Sequence, residues 1–296
     1  MRPIDFTLLG SLEVMCGGAQ LKLGGRKQRV LLAMLMCNAN ELVPTDLLID
    51  ALWGTTLPRT AEQNLRVYIY HLRRILGSDQ RIAWRAPGYM LTVLPGELDI
   101  DRFGELTTAG NDALARHALA DGSELLDRAL RLWRGPALAG LLDVEPLRAR
   151  AVHLEERRLD ALEKRITADI ALGRHANLVA ELRVLAEEYP LREHLQAQFM
   201  MALYRSGRRA EALDAFRAVR RTLVDELGVE PGTELQRLHQ GILCDDAAAC
   251  DALFPAAPGT VPRQVAASEL GEIRSALDRI GRLLDRIEDT PPRDDR

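Results

Sequence analysis

Residues 60–93 constrain this chain more than any other stretch. TAEQNLRVYIYHLRRILG reads as one amphipathic helix, and RIAWRAPGYMLTV, a few residues on, reads as a hairpin with Pro87-Gly88 at its turn. Thr60 followed by Gln63 fits a capping box, and Gly77 ends the run. Leu65, Ile69, Leu72 and Leu76 share one face at helical spacing and are expected to bury. Successive residues turn by about 100°, which places Gln63, Val67, Tyr70, His71 and Arg74 on the opposite face, with Arg66 and Arg73 on the flanks. Two readings fit that outer face. An ordinary solvated helix can carry two stray apolar residues. A helix that enters the DNA major groove uses apolar groups against thymine methyls and arginine against guanine O6/N7.

The hairpin extends the second reading. Ile82, Trp84, Tyr89, Leu91 and Val93 are strand-like, and Arg81 and Arg85 would ride beside them within reach of phosphates or a minor groove. The plainer alternative has the hairpin covering the domain core, with Trp84 and Tyr89 packed inside; the two are compatible. A basic helix followed by a basic hairpin is the outline of a winged helix-turn-helix, which makes double-stranded DNA the first partner to consider.

Upstream, FTLLGSLEV and AQLKLG alternate like short strands around Cys16-Gly17-Gly18. GGRKQRVLLAMLMCNAN opens a helix with Arg26, Lys27 and Arg29 at its positive end. Cations there oppose the helix dipole, so a bound phosphate explains them better than helix stability does. PTDLLIDALWG is the next helix, with Thr45 as its cap and Leu47, Leu48, Ala51 and Leu52 turned inward.

The net charge of −4 argues against DNA binding only until its distribution is read. Residues 22–90 hold ten Lys/Arg against five Asp/Glu, while residues 101–296 hold 28 against 34. The local footprint governs attraction to phosphate, and here it is basic. No run approaches the ~18 apolar residues of a membrane span, and Asp5 with strand-like alternation does not suit a signal peptide, so a cytoplasmic, nucleoid-associated protein without membrane contact is expected. Cys16, Cys37, Cys244 and Cys250 have no metal-ligand spacing.

From Asp101 to about Cys244 the chain reads as helical, with breaks at Gly122, Gly135-Pro136, Gly173, Pro190, Gly207 and Gly228. Ala168, Gly173 and Arg174 recur as Ala202, Gly207 and Arg208, a period of 34 residues. That period is the tetratricopeptide signature, a helix-turn-helix unit that stacks on its neighbours and offers a concave surface to a partner. Arg205, Arg208 and Arg209 either reach such a partner or satisfy helix ends and water. Residues 245–267 read as an Ala/Pro-rich linker, and residues 268–289 as an amphipathic helix whose stripe from Leu270 to Ile287 fits either a coiled coil or docking on the same chain.

FTLLGSLEV, GGRKQRVLLAML, LIDALWG, NLRVYIYHLRRILG and APGYML, in that order, resemble the OmpR-type DNA-binding domain as it occurs in the Streptomyces antibiotic regulatory protein family. LWRGPAL, YPLREHLQAQFMMALYRSGRRAEALDAF and RRTLVDELGVEPGTELQRLHQGIL resemble the bacterial transcriptional activation domain that follows it there. The resemblance implies residues 1–97 as the winged-helix domain and 98–244 as a tetratricopeptide-like all-α domain, giving a mainly α chain with a small α+β start. It implies a transcriptional activator of a biosynthetic gene cluster that binds promoter direct repeats as a homodimer on DNA and recruits RNA polymerase holoenzyme. It does not cover residues 268–289, and receiver-domain phosphorylation control is not carried over.

Enzyme motifs are missing: there is no GxxxxGK[ST], no HExxH and no Cys/His cluster, and LGGRKQR lacks the Lys-Ser/Thr pair of a phosphate loop. No catalytic residue, metal or cofactor is assigned. The DNA contacts expected are Gln63, Val67, Tyr70, His71 and Arg74 at base edges, Arg26, Lys27, Arg29, Arg66 and Arg73 at phosphates, and Arg85 on the wing. The rivals are a protein-interaction adaptor working through the helical repeats, and a regulator whose repeat surface takes a small effector.

Overall fold

The computed structural model describes residues 4–78 and 80–256. They form two compact units, one running to Arg165 and the other beginning at Ile166.

In the first unit β1 (Ile4–Thr7) pairs antiparallel with β2 (Glu13–Cys16), and β2 pairs with β3 (Ala19–Gln20). The turn between the last two is Gly17-Gly18, both at positive φ, the two-residue geometry that matches strand twist without a Cβ penalty. α1 (Arg26–Cys37) is buried without a break from Val30 to Met36, as a helix enclosed on all sides must be. α2 (Thr45–Trp53) and α3 (Ala61–Ile75) pack against it. A second antiparallel sheet, in the order β4-β6-β5, joins β4 (Val43–Pro44), β5 (Ile82–Arg85) and β6 (Gly88–Leu91). This is a winged helix-turn-helix behind a three-stranded N-terminal sheet.

Local chemistry departs from expectation in several places. Thr45 is the first helical residue rather than the cap; its N–H and Oγ1 both donate to the Pro87 carbonyl, at 3.1 and 3.0 Å, tying α2 to the hairpin tip. Leu47 is exposed, while Leu48 and Leu52 are buried. Thr60 precedes α3 without a side-chain cap bond, and its Oγ1 accepts from Asn64 Nδ2 instead. The hairpin tip is Ala86-Pro87, joined by a cis peptide, and Gly88 is already in β6. A Cβ on Gly88 would lie 2.0 Å from the Val43 carbonyl oxygen. Gly88→Ala should therefore push β4 off the wing and lose about 1–3 kcal/mol, seen as a lower denaturation midpoint at constant m-value.

The core of this unit continues past residue 97 into α4 (Asp99–Ala115), α5 (Leu119–Leu130) and the start of α6 (Glu145–Ala171). Phe6, Leu8 and Leu9 share one buried cluster with Phe103, Leu126, Trp133, Leu138 and Leu147. The packing break lies within α6, at 165/166.

The second unit holds the end of α6 followed by α7 (His175–Glu188), α8 (Glu193–Arg205), α9 (Arg209–Leu227), α10 (Thr233–Cys244) and α11 (Ala247–Leu253). The 34-residue period appears in the main chain. Gly173 and Gly207 have φ of 75° and 76°. Gly173 N–H donates to Ile170 and Arg174 N–H to Asp169, while Gly207 and Arg208 donate to Tyr204 and Leu203, the same four positions one period on. α8 is buried from Leu195 to Tyr204 and forms the centre of the stack. The start of the expected linker is structured: α11 occupies Ala247–Leu253, with Cys250 and Phe254 buried. The amphipathic segment 268–289 lies outside the described residues.

Candidate nucleic-acid interface

The outer face of α3 follows from its inner one. Burial of Ala61, Leu65, Ile69 and Leu72 leaves Gln63, Arg66, Val67, Tyr70, His71 and Arg74 exposed together. The rings of Tyr70 and His71 meet edge to face at 5.8 Å, and the Arg74 guanidinium stands 5.9 Å from the Tyr70 ring centre. Arg66 has only a 3.7 Å contact to Glu62, an exposed pair that a phosphate can replace. A 15-residue helix is about 22 Å long, and the major groove, about 12 Å wide, admits it.

Arg73, the other flank cation, is half-buried and donates through Nε to the Ile82 carbonyl at 2.8 Å, so it holds β5 against α3. Asn40 fixes the far side of the wing: its Nδ2 donates to the Val93 carbonyl, and its Oδ1 accepts from the Val93 N–H. Arg85 is exposed next to the tip. Arg81 is not on the outer wing. It is 3% exposed and forms a two-bond ion pair with Glu97 at 2.6 and 2.7 Å. Of the two aromatics that the core-covering alternative packs inside, only Tyr89 is buried; Trp84 stacks edge-on against it and stays 52% exposed. Its exposure beside Arg85 adds an aromatic to the wing.

At the start of α1, Arg26 pairs with Asp143 on the surface, Lys27 Nζ lies 4.5 Å above the Trp53 ring, and Arg29 is half-buried. Gly25 caps the helix in extended conformation without a side-chain bond. Arg205, Arg208 and Arg209, in the second unit, all bond within their own fold. Arg208 pairs with Glu211, Arg209 donates to the Ile242 and Leu243 carbonyls, and Arg205 to those of Ile170 and Phe254. Arg205 and Arg209 thus satisfy carbonyls at the ends of α6 and α10, while Arg208 pairs with a side chain of α9. Among the described residues, no group of three or more His, Cys, Asp or Glu is placed to hold a metal, and no helix is long and apolar enough to cross a membrane.

A basic, partly apolar helix face with a wing pinned beside it, followed by helical repeats, defines a winged-helix regulator of the DNA-binding type. The model of the transcriptional regulatory protein C-terminal family matches residues 18–91, and that of the bacterial transcriptional activator domain matches residues 98–243. DnrI of Streptomyces peucetius is 38% identical over 82% of this chain and 93% of its own length. EmbR of Mycobacterium tuberculosis is 40% identical over 81% of this chain, which spans 63% of EmbR. A solved structure of Mycobacterium tuberculosis EmbR in complex with a low-affinity phosphopeptide superposes with a TM-score of 0.81 at 37% identity, covering 86% of this chain and 69% of that one. The chain belongs to the Streptomyces antibiotic regulatory protein family of transcriptional regulators, the group of AfsR, DnrI and RedD.

Proposed function

We propose that the protein is a sequence-specific DNA-binding transcriptional activator of a biosynthetic gene cluster, acting in the cytoplasm on the nucleoid. The observation that carries this reading is the single exposed face of α3, bearing Gln63, Val67, Tyr70, His71 and Arg74, with the wing bonded alongside through Arg73. In it those five residues read base edges. Arg66, Lys27 and Arg29 meet phosphates, as does Arg26 once a phosphate displaces Asp143. Arg85 and Trp84 follow the backbone or minor groove from the wing, and Arg73 contributes mainly by positioning. Residues 1–97 carry the DNA contacts and residues 98–244 the activating surface. Two protomers bind direct repeats side by side and recruit RNA polymerase holoenzyme; repeats read from one face of the duplex are spaced by about one turn, ~10–11 bp. The family and its regulator relatives support this assignment, and no catalytic role is included.

Fluorescence anisotropy on the chain's own upstream DNA across a salt series tests it. Arg74→Ala should lose about 1–3 kcal/mol, concentrated at one base position. Arg66→Ala should weaken matched and scrambled sites alike and reduce the salt slope by about one. Equal effects of both variants on both sites would overturn the division of roles. Binding indifferent to sequence would move function to the helical unit, as a protein-interaction adaptor.

A further inference from the structure

We propose that residues 246–254 are a displaceable latch over a groove of the second unit, and that this groove takes a partner segment bearing a carboxylate and, three residues later, an aromatic ring. The proposal stands apart from the DNA reading, since every residue it uses lies beyond Ile166. After α10 the chain turns at Asp245, which has a φ of 57°, and Asp246 caps α11 by accepting from the Ala249 N–H. Only Cys250 and Phe254 of residues 245–256 are buried. The Phe254 ring stacks on His194 of α8 at 6.0 Å. Arg205, at the other end of α8 and only 11% exposed, donates to Asp251 Oδ1 at 2.6 Å, to the Phe254 carbonyl, and to the Ile170 carbonyl at the end of α6 at 3.0 Å. Tyr204 donates to Asp245 at 3.0 Å.

α6, α8 and α10 are the first helices of successive hairpins, and a stack of such hairpins forms its binding surface from a repeated set of helices. Asp251 and Phe254 are held on α8 as a peptide ligand would be, by one carboxylate, one main-chain carbonyl and one ring. A seven-residue helix is marginal without tertiary support. Beyond its packing on α10, two buried side chains and the bonds from Arg205 and Tyr204 are what hold it, which puts this segment among those that open locally. When it opens, Arg205 keeps the Ile170 carbonyl and presents its remaining donors beside the vacated ring site, a match for a carboxylate followed by an aromatic. The Asp251-to-Phe254 spacing states the required pattern.

Cys250 reports the state. Its Sγ packs on Gly241, where a Cβ would come within 2.9 Å, and burial pushes the thiol up to about 11, so the closed latch hides an unreactive group. Carboxamidomethylation of Cys250 in the whole chain, read by peptide mass spectrometry against exposed Cys244, should rise on the order of 100-fold in Phe254→Ala. That variant should also bind a fluorescein-labelled peptide of residues 246–256, the wild type should not, and a peptide carrying Asp251→Ala should bind neither. Asp251→Asn, which keeps the ring anchor, should likewise raise Cys250 labelling and carries the test if Phe254→Ala loses its cooperative melt. Unchanged labelling in both variants, or equal peptide binding by wild type and Phe254→Ala, would overturn the latch; so would a folded Phe254→Ala chain that binds no peptide.

Discussion

Arg81→Met should destabilise the first unit by about 3–5 kcal/mol, the penalty for breaking a buried ion pair from one side. Arg81 is 3% and Glu97 11% exposed at the side chain. One Arg81 donor also reaches the Thr92 carbonyl, while the Leu94 N–H donates to Glu97 Oε2, so the pair closes the base of the wing. Burial alone would raise the pKa of Glu97, but hydrogen bonds from Arg81 and Leu94, with the Arg81 charge, outweigh it and hold the carboxyl below its usual value. A carboxylate depressed in the fold contributes stability that is complete above its unfolded pKa and lost as pH falls through the folded one. Wild-type stability should therefore decline below about pH 4. In Arg81→Met the bonds and charge of Arg81 are lost and only main-chain hydrogen bonds, that from the Leu94 N–H first, are left to oppose burial, so the carboxyl rises and the defect should grow as pH rises. Urea titrations from pH 3 to 8 separate this from simple loss of packing: a defect independent of pH would refute the ion-pair account. Replacing both partners by apolar residues of similar volume should restore much of the loss.

What was legible in advance follows the range of the physics involved. The inner and outer faces of α3 were set by a 3.6-residue period within one helix, and Leu65, Ile69, Leu72 and the exposed residues between them stand as that period requires. The repeat register at Gly173 and Gly207 was legible because each turn imposes positive φ locally. Arg81, Thr45 and Arg205 were not, because their partners Glu97, Pro87 and Asp251 lie 16, 42 and 46 residues away. Trp84 shares a strand face with buried Ile82, but the sheet outruns the core toward the wing tip, which no alternation rule contains. Ala/Pro composition made residues 245–256 look like a linker, and only the docking of Cys250 and Phe254 gives them structure. The family models end at residue 243 and do not reach them.

A fragment ending at residue 97 should fail to fold on its own, although the family resemblance divides the chain there. Phe6, Leu8 and Leu9 are fully buried, and the cluster that encloses them includes Phe103, Leu126, Trp133 and Leu138, all beyond the cut. The main chain depends on the same region. Asp99 accepts from the Leu8 and Leu9 N–H groups at 2.9 Å, while Arg134 and Leu138 donate to the Leu9 and Leu8 carbonyls at 2.8 and 2.9 Å. Each such hydrogen bond contributes about 0.5–1.5 kcal/mol net, and exposing Phe6, Leu8 and Leu9 loses about 1.5–3 kcal/mol for each side chain, so together they approach the whole margin of a typical domain, about 5–15 kcal/mol. Asp99→Ala in the whole chain isolates part of this effect. It orphans two N–H groups and should lower stability by about 1–3 kcal/mol for each, leaving the face of α3 chemically unchanged. Its DNA affinity, measured well below its melting temperature, should then match wild type. A 1–97 fragment with a sharp thermal transition and full DNA affinity would show that α4 and α5 merely decorate the winged helix. Broad, non-cooperative melting of the fragment, beside intact binding by Asp99→Ala, would show that the recognition helix is held in place from outside the domain that carries it.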